Sequence, residues 1–234
     1  MTQRLVFILH RRPELTRNEF QRYWSTTHAP LVKSVADTLG IMGYHQVHTV
    51  RDNPNYSTQP FDGVAELWFD RSRATGTPAE QRAAAALLLE DEGQFIDLPA
   101  SPIFLGDENV ISDGGRDGLR MTSVVYRKPG TTRAGFRHHW AGVHGPIVVD
   151  HPEVFNGNRY VQVHAPDNAE TYPAAIVRNA PEPPDGLAEM FFTGVAQIDP
   201  AVSGPVLAEL TADTETFADT TRTVSTFGRV DVII

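Results

Sequence analysis

The chain contains its own duplicate. Arg11-Arg12-Pro13-Glu14-Leu15-Thr16-Arg17-Asn18-Glu19-Phe20, followed by Trp24, His28, Pro30 and Val32, recurs 116 residues later. The second copy reads Arg127-Lys128-Pro129-Gly130-Thr131-Thr132-Arg133-Ala134-Gly135-Phe136, followed by Trp140, His144, Pro146 and Val148. At the same spacing Tyr44-His45-Gln46-Val47-His48 returns as Tyr160-Val161-Gln162-Val163-His164. Asp62-Gly63-Val64-Ala65-Glu66 returns as Asp185-Gly186-Leu187-Ala188-Glu189, and Asp91, Phe95 and Asp97 return as Asp213, Phe217 and Asp219, at offsets of 123 and 122. A few residues are therefore inserted, in the Pro-rich stretch 179–185. Between the copies, 113–118 (Asp-Gly-Gly-Arg-Asp-Gly) has the composition of a linker. We read residues 1–112 and 119–234 as two copies of one unit. Whatever the first folds into, the second must also, and a fold that ignores the repeat is excluded.

Each copy reads β-α-β-β-α-β. Residues 4–10 are apolar and β-rich, and Thr16 is placed to cap a helix over 16–28 whose apolar face carries Phe20, Tyr23 and Trp24. Pro30 interrupts that helix, and a less regular stretch leads to strands at 43–50 and 62–69, a long Ala/Leu helix at 79–95 and a closing strand at 103–111. The second copy gives strands near 121–127, 158–165, 186–193 and 226–233 and helices near 132–144 and 200–218. This order is the ferredoxin-like arrangement, in which both helices cover one sheet face and leave the other bare. The predicted fold class is α+β, with two tandem ferredoxin-like units whose bare faces pack together into a barrel, helices outside.

Composition removes several chemistries. With 41% hydrophobic and 21% charged residues the chain has enough apolar surface to bury a core, so disorder is excluded. It has no cysteine, which rules out disulfides, thiolate metal sites and thiol nucleophiles. A net charge of −9 has the wrong sign for neutralising phosphates, so no nucleic-acid partner is expected. No apolar run approaches the ~20 residues of a membrane span and no secretory leader is evident, so a cytoplasmic setting is expected. There is no Gly-rich phosphate loop and no Gly-x-Ser-x-Gly elbow. His45 and His48 fall on opposite sides of a strand and His138 and His139 side by side on a helix, so no metal site is read.

The order of these motifs resembles the EthD family: a basic-Pro turn, Thr, Phe, Trp and His-x-Pro, then Tyr-x-Gln-Val-His, then Asp-Gly-x-Ala-Glu. The resemblance covers most of both halves. It implies the dimeric α/β barrel superfamily, here closed within one chain, so a homodimer is left open rather than required. It also implies small-molecule chemistry without a cofactor. Relatives in aromatic polyketide pathways are similar to cofactor-free lyases, and the wider superfamily includes cofactor-free monooxygenases and muconolactone isomerases. Some of its barrels bind haem, an alternative left open here.

Strand alternation nominates the residues that meet a ligand. Tyr44, Gln46 and His48 share one face, as do Tyr160, Gln162 and His164. We expect the aliphatic face, with Val47, to lie under the helices and the polar face to line the barrel. Glu66 and Trp68, with Glu189 and Phe191, are expected inside as well, as are His10 and Tyr126 at the ends of the first strands. Trp24 and Trp140 precede His28 and His144 by four residues, stacking each pair on one helix face. The prolines that follow put both histidines at a helix C-terminus, where the macrodipole favours the imidazolium.

From this we expect a cofactor-independent lyase or isomerase acting on a phenolic or polyketide-like molecule. His28 or His144 would transfer a proton, Glu66 or Glu189 would polarise it or act as base, and the remaining residues would hold the substrate. The alternatives are a cofactor-free monooxygenase of an electron-rich aromatic and a non-catalytic binding protein. The rival reading of the inward polar residues is a satisfied network joining the two sheets, and it is favoured for His48 and His164. His10, His45 and Trp68 occur only in the first half, which tilts the active cavity toward that copy.

Overall fold

The computed structural model of the chain describes residues 3–51, 60–155, 159–192 and 200–234. The outer ends of two predicted strands, Asn158 and Thr193, lie outside them. The first half runs β1 (Gln3–Leu9), α1 (Arg17–Tyr23), α2 (Ala29–Leu39), β2 (Ile41–Arg51), β3 (Gly63–Phe69), α3 (Pro78–Glu92) and β4 (Ile103–Ser112). The second runs β5 (Leu119–Val125), α4 (Arg133–His139), α5 (Gly145–Val149), α6 (Pro152–Phe155), β6 (Tyr160–His164), α7 (Pro173–Val177), β7 (Gly186–Phe192), α8 (Pro200–Phe217) and β8 (Val224–Val232). Capping boxes start two helices: Thr16 begins α1 as the sequence implies, with Glu19 bonding back to it, and Thr77, which the sequence reading did not name, begins α3 with Glu80. Among the described residues no helix is long and apolar enough to cross a membrane.

The eight strands close into one antiparallel barrel in the order β1-β3-β2-β8-β5-β7-β6-β4. Each half contributes four neighbouring strands, and the halves meet along two seams, β2 with β8 and β4 with β6. Among the described residues, closure leaves no strand at a free sheet edge. Inside, Val6, Val47, Val64, Val124, Val163 and Leu187 pack with Phe104 into a continuous aliphatic filling. The barrel is thus a packed core, as expected of a small barrel filled by its own side chains.

This corrects the expected orientation of one strand pair. Val47, Val161 and Val163 point into the barrel, whereas Tyr44, Gln46 and His48, with Tyr160, Gln162 and His164, point under the helices. Both sides of the sheet are buried, so the aliphatic side filled the space with no room for water and the polar side met the helices.

One end of the barrel holds a buried cluster of charged side chains. Glu66 accepts from Arg120 Nη1 and Nη2 (2.9 and 2.7 Å) and from Arg4 Nη2 (2.9 Å), and Arg4 also bonds Glu189. Offset by the repeat, Arg4 answers Arg120 and Glu66 answers Glu189, so the quartet joins the two copies. Trp68 lies beneath the Arg4 guanidinium at 4.9 Å, and His45 packs on Trp68 at 4.6 Å rather than on the helix side. Burial, with the nearby Glu66 carboxylate, pushes Glu189 up to about 7 against the pull of both arginines, and the arginines hold Glu66 well below the carboxylate range.

A carboxyl raised in the folded state stabilises below its unfolded value and loses that contribution as pH rises through its folded value. The chain is therefore expected to lose stability as pH rises from the ordinary carboxylate range toward neutrality, through Glu189. Glu189→Gln, whose amide replaces the acid proton facing Glu66, should flatten this dependence. Urea unfolding across that range checks it, and parallel curves for the two proteins would refute it.

Candidate functional site

Each half carries a cavity between its sheet and its helices, about 790 Å³ in the first and about 770 Å³ in the second. The first is walled by Phe7, Leu67, Phe69 and Leu88 and reached by His28, Tyr44 and Trp24. The second is walled by Met121, Val148, Phe155 and Met190 and reached by His144, Tyr160 and Trp140.

The histidines owe their position to a wide turn inside a helix. Trp24–His28 and Trp140–His144 are π-helical turns that join α1 to α2 and α4 to α5 without a break. The backbone stays helical through His28 and Ala29, and Pro30 is the second residue of α2, directly after the π turn. His28 is consequently not at a helix C-terminus, and the expected dipole effect does not apply. The Trp24 carbonyl accepts the Ala29 N–H and also Gln46 Nε2 at 3.0 Å. Gln162 repeats this on Trp140 at 2.8 Å. The invariant Gln of the two copies thus pins the turn to the sheet.

The tryptophans rest on glycine. A Cβ on Gly63 would lie 2.6 Å from the Trp24 ring, and one on Gly186 would lie 2.5 Å from that of Trp140. This accounts for the repeated Asp-Gly pair: Asp62 takes the Arg11 N–H and Asp185 the Arg127 N–H, while the glycine admits the indole.

Within the first cavity, His28 Nδ1 is bonded to Asp91 Oδ2 at 2.7 Å, and Tyr23 donates its hydroxyl to Asp91 Oδ1 at 2.8 Å. Asp91 therefore selects the tautomer protonated on Nδ1 and leaves Nε2, which has no partner among the described residues, for the cavity. Tyr44 accepts from Trp24 Nε1 at 2.8 Å and Gln46 Nε2 at 2.9 Å. With both acceptor positions taken, its proton is what the hydroxyl has left to offer, and burial pushes the phenol well above its ordinary value.

The second half repeats the device with one change. His144 Nδ1 meets Asp213 Oδ2 at 2.8 Å, and His139 Nε2 takes the place of the Tyr23 hydroxyl on Oδ1 at 2.7 Å. Burial holds His144 below the ordinary imidazole value against the pull of Asp213, so it is neutral near pH 7. Tyr160 accepts from Gln162 at 3.0 Å and is pushed up to about 12 by burial.

The other expected site residues lie elsewhere. Glu66, Glu189, Trp68 and Phe191 line the ionic end of the barrel, on the far face of the sheet from both histidines. Glu66 and Glu189 therefore cannot polarise His28 or His144, and Asp91 and Asp213 occupy that place. Both aspartates stood in the repeat at matching positions, which was the available signal. His48 packs tilted against Trp24 at 4.6 Å and bonds Gln46, and His164 packs tilted against Trp140 at 4.8 Å and bonds Gln162, behind the cavity wall. His10 lies just past β1, its backbone N–H donated to Ser101 Oγ at 3.0 Å, and Tyr126 packs against the barrel filling under Arg222 at 3.8 Å. Neither borders a histidine cavity. Among the described residues no three His, Asp or Glu side chains are grouped to hold a metal.

Comparison with known proteins gives the fold company. A protein from Lactobacillus acidophilus, provisionally named a monooxygenase, matches at 9% identity with a TM-score of 0.50, over 99% of this chain and 95% of its own. Another of the same provisional name from Fusobacterium nucleatum matches at 10% identity with a TM-score of 0.58, over 99% and 93%. An ethyl tert-butyl ether degradation (EthD) family protein from Bacillus halodurans matches at 21% identity with a TM-score of 0.31, over 46% of this chain and 98% of its own. No curated protein matches the sequence. The EthD domain profile matches twice, over residues 12–99 and 128–221, and so takes in each histidine with its aspartate. Those two matches span most of both halves, and the chain belongs to the EthD family, as a tandem pair of EthD domains.

Proposed function

We propose that the chain is a cofactor-independent lyase or isomerase that moves a proton on a phenolic or polyketide-like molecule held between sheet and helices. In this reading each half is a ferredoxin-like unit, and the barrel they share is a scaffold rather than the reaction chamber. One observation carries the proposal. A histidine oriented by a buried aspartate and a tyrosine hydroxyl able only to donate border the same apolar cavity.

The apolar walls supply affinity and keep water from the reacting carbon. His28 Nε2 removes a proton from a carbon beside a carbonyl, and the C–H electron pair moves toward the oxygen. Tyr44 donates to that oxygen as its charge grows. The imidazolium, steadied by Asp91, then returns the proton to another carbon, completing an isomerisation, or to a departing hydroxyl, completing a dehydration. General acid–base help of this kind is worth about 10²–10⁴-fold and a buried donor at the oxyanion about 10²–10³-fold. Substrates that already stabilise an enolate need little more.

A second reading uses the same groups. The two barrel proteins provisionally named monooxygenases favour it: His28 would deprotonate a phenol, and the phenolate would react directly with oxygen. Incubation of the protein with phenolic and poly-β-ketone compounds in deuterium oxide without oxygen separates the two. We expect deuterium at carbon, or loss of water or carbon dioxide. Products formed only with oxygen uptake would establish the monooxygenase, compounds recovered unchanged but bound would establish a binding protein, and a Soret band would assign the chemistry to haem.

A further inference from the structure

The two cavities are nearly equal in volume and unlike in charge. Three arginines border the first: Arg71 in the turn after β3, Arg82 on α3, and Arg178, which the second half extends from the end of α7. No arginine or lysine borders the second among the described residues. Arg178 is already occupied. Its Nε and Nη2 bond both oxygens of Glu92 at 2.7 and 2.8 Å, its Nη1 bonds the Ala174 carbonyl at 3.0 Å, and it lies over Phe7 at 5.6 Å. Glu92 is the only carboxylate bordering the first cavity among the described residues, so Arg178 neutralises it. Arg71 and Arg82 are exposed and have no carboxylate partner there. Two uncompensated positive charges at one opening stand out in a chain of net charge −9.

Burial orients the cavity. Tyr44 and His28 are 1% and 6% exposed and form its inner end, while Arg71 and Arg82 form its mouth. We propose that the first cavity selects an amphipathic anion, a flat apolar molecule bearing one carboxylate that stays at the mouth with Arg71 and Arg82 while the opposite end reaches His28. Guanidinium groups suit this task because they present paired donors to a carboxylate and remain charged at any working pH. It follows that the carboxylate held at the mouth is not the group removed at His28. The second cavity, with no fixed positive charge among the described residues, takes a neutral molecule of similar size.

This inference rests on the reading of the first cavity as the substrate site, and its test is independent of turnover. The probes are 1-anilinonaphthalene-8-sulfonate and N-phenyl-1-naphthylamine, which share an apolar body and differ in the anionic group. Arg71→Gln with Arg82→Gln is expected to weaken the sulfonate about tenfold and to abolish the salt dependence of its binding. The neutral probe should change by less than twofold. Arg22→Gln, an exposed arginine outside the cavity, should change neither. Equal losses for both probes, or an unchanged sulfonate affinity, would overturn the anion assignment. If His28 proves necessary for turnover while the sulfonate is indifferent to Arg71 and Arg82, the ligand class fails and the reaction stands. If the arginines matter and His28 does not, the reverse holds.

Discussion

Replacing His28 with alanine is expected to lower turnover by about 10²–10⁴-fold with little change in KM, because the imidazole acts on the transferred proton rather than on the bound body of the substrate. Asp91→Asn keeps the size of the partner but turns an amide N–H toward Nδ1 and favours the wrong tautomer, so most of the same loss should follow. Tyr23→Phe removes one hydrogen bond to Asp91 and leaves His28 in place, so its effect should be the smallest of the three. His144→Ala measures how much the second cavity contributes. Turnover left intact by His28→Ala and His144→Ala, singly and together, would remove proton transfer by histidine from the mechanism.

Arg120→Met is expected to cost about 3–5 kcal/mol of stability, read as a lower urea midpoint. The magnitude comes from what is left behind. Glu66 is fully buried and takes two of its hydrogen bonds from Arg120, so the substitution strands part of a carboxylate in the barrel wall. Glu66→Leu added to Arg120→Met should recover much of the loss, because removing both members of a buried pair is far less costly than removing one. A loss below about 1 kcal/mol for Arg120→Met would mean that water reaches the quartet and solvates the remaining charge.

The repeat made the fold legible. Matching Trp24 to Trp140 and Gln46 to Gln162 implied two copies that close on each other, and Thr16 marked a helix start that the structure keeps. Alternation along β2 also separated Tyr44, Gln46 and His48 from Val47 correctly. It could not say which side faced the barrel, because both sides of this sheet are buried and periodicity reports only that they differ. Pro30 misled for a local reason: a π turn carries the helix through His28, so the proline opens the next helical segment instead of closing the last. The partner of His28 was hidden by distance in sequence. Asp91 lies 63 residues away, and only the packing of α3 against the π turn brings it within 2.7 Å. Glu66 was a reasonable guess by charge and lies on the wrong face of the sheet.

Because neighbouring residues of one strand look to opposite sides, every strand in this barrel answers to two masters. Val47 and Val163 share a common interior, and a change in either must suit the other half of the molecule. Tyr44 and Tyr160 each answer only to the chamber on their own side. A duplicated gene with this layout can retune one chamber while its twin is left alone, and Arg71, Arg82 and Glu92 on one side, with Thr214 where the repeat would place Glu92's counterpart, are what such divergence leaves behind.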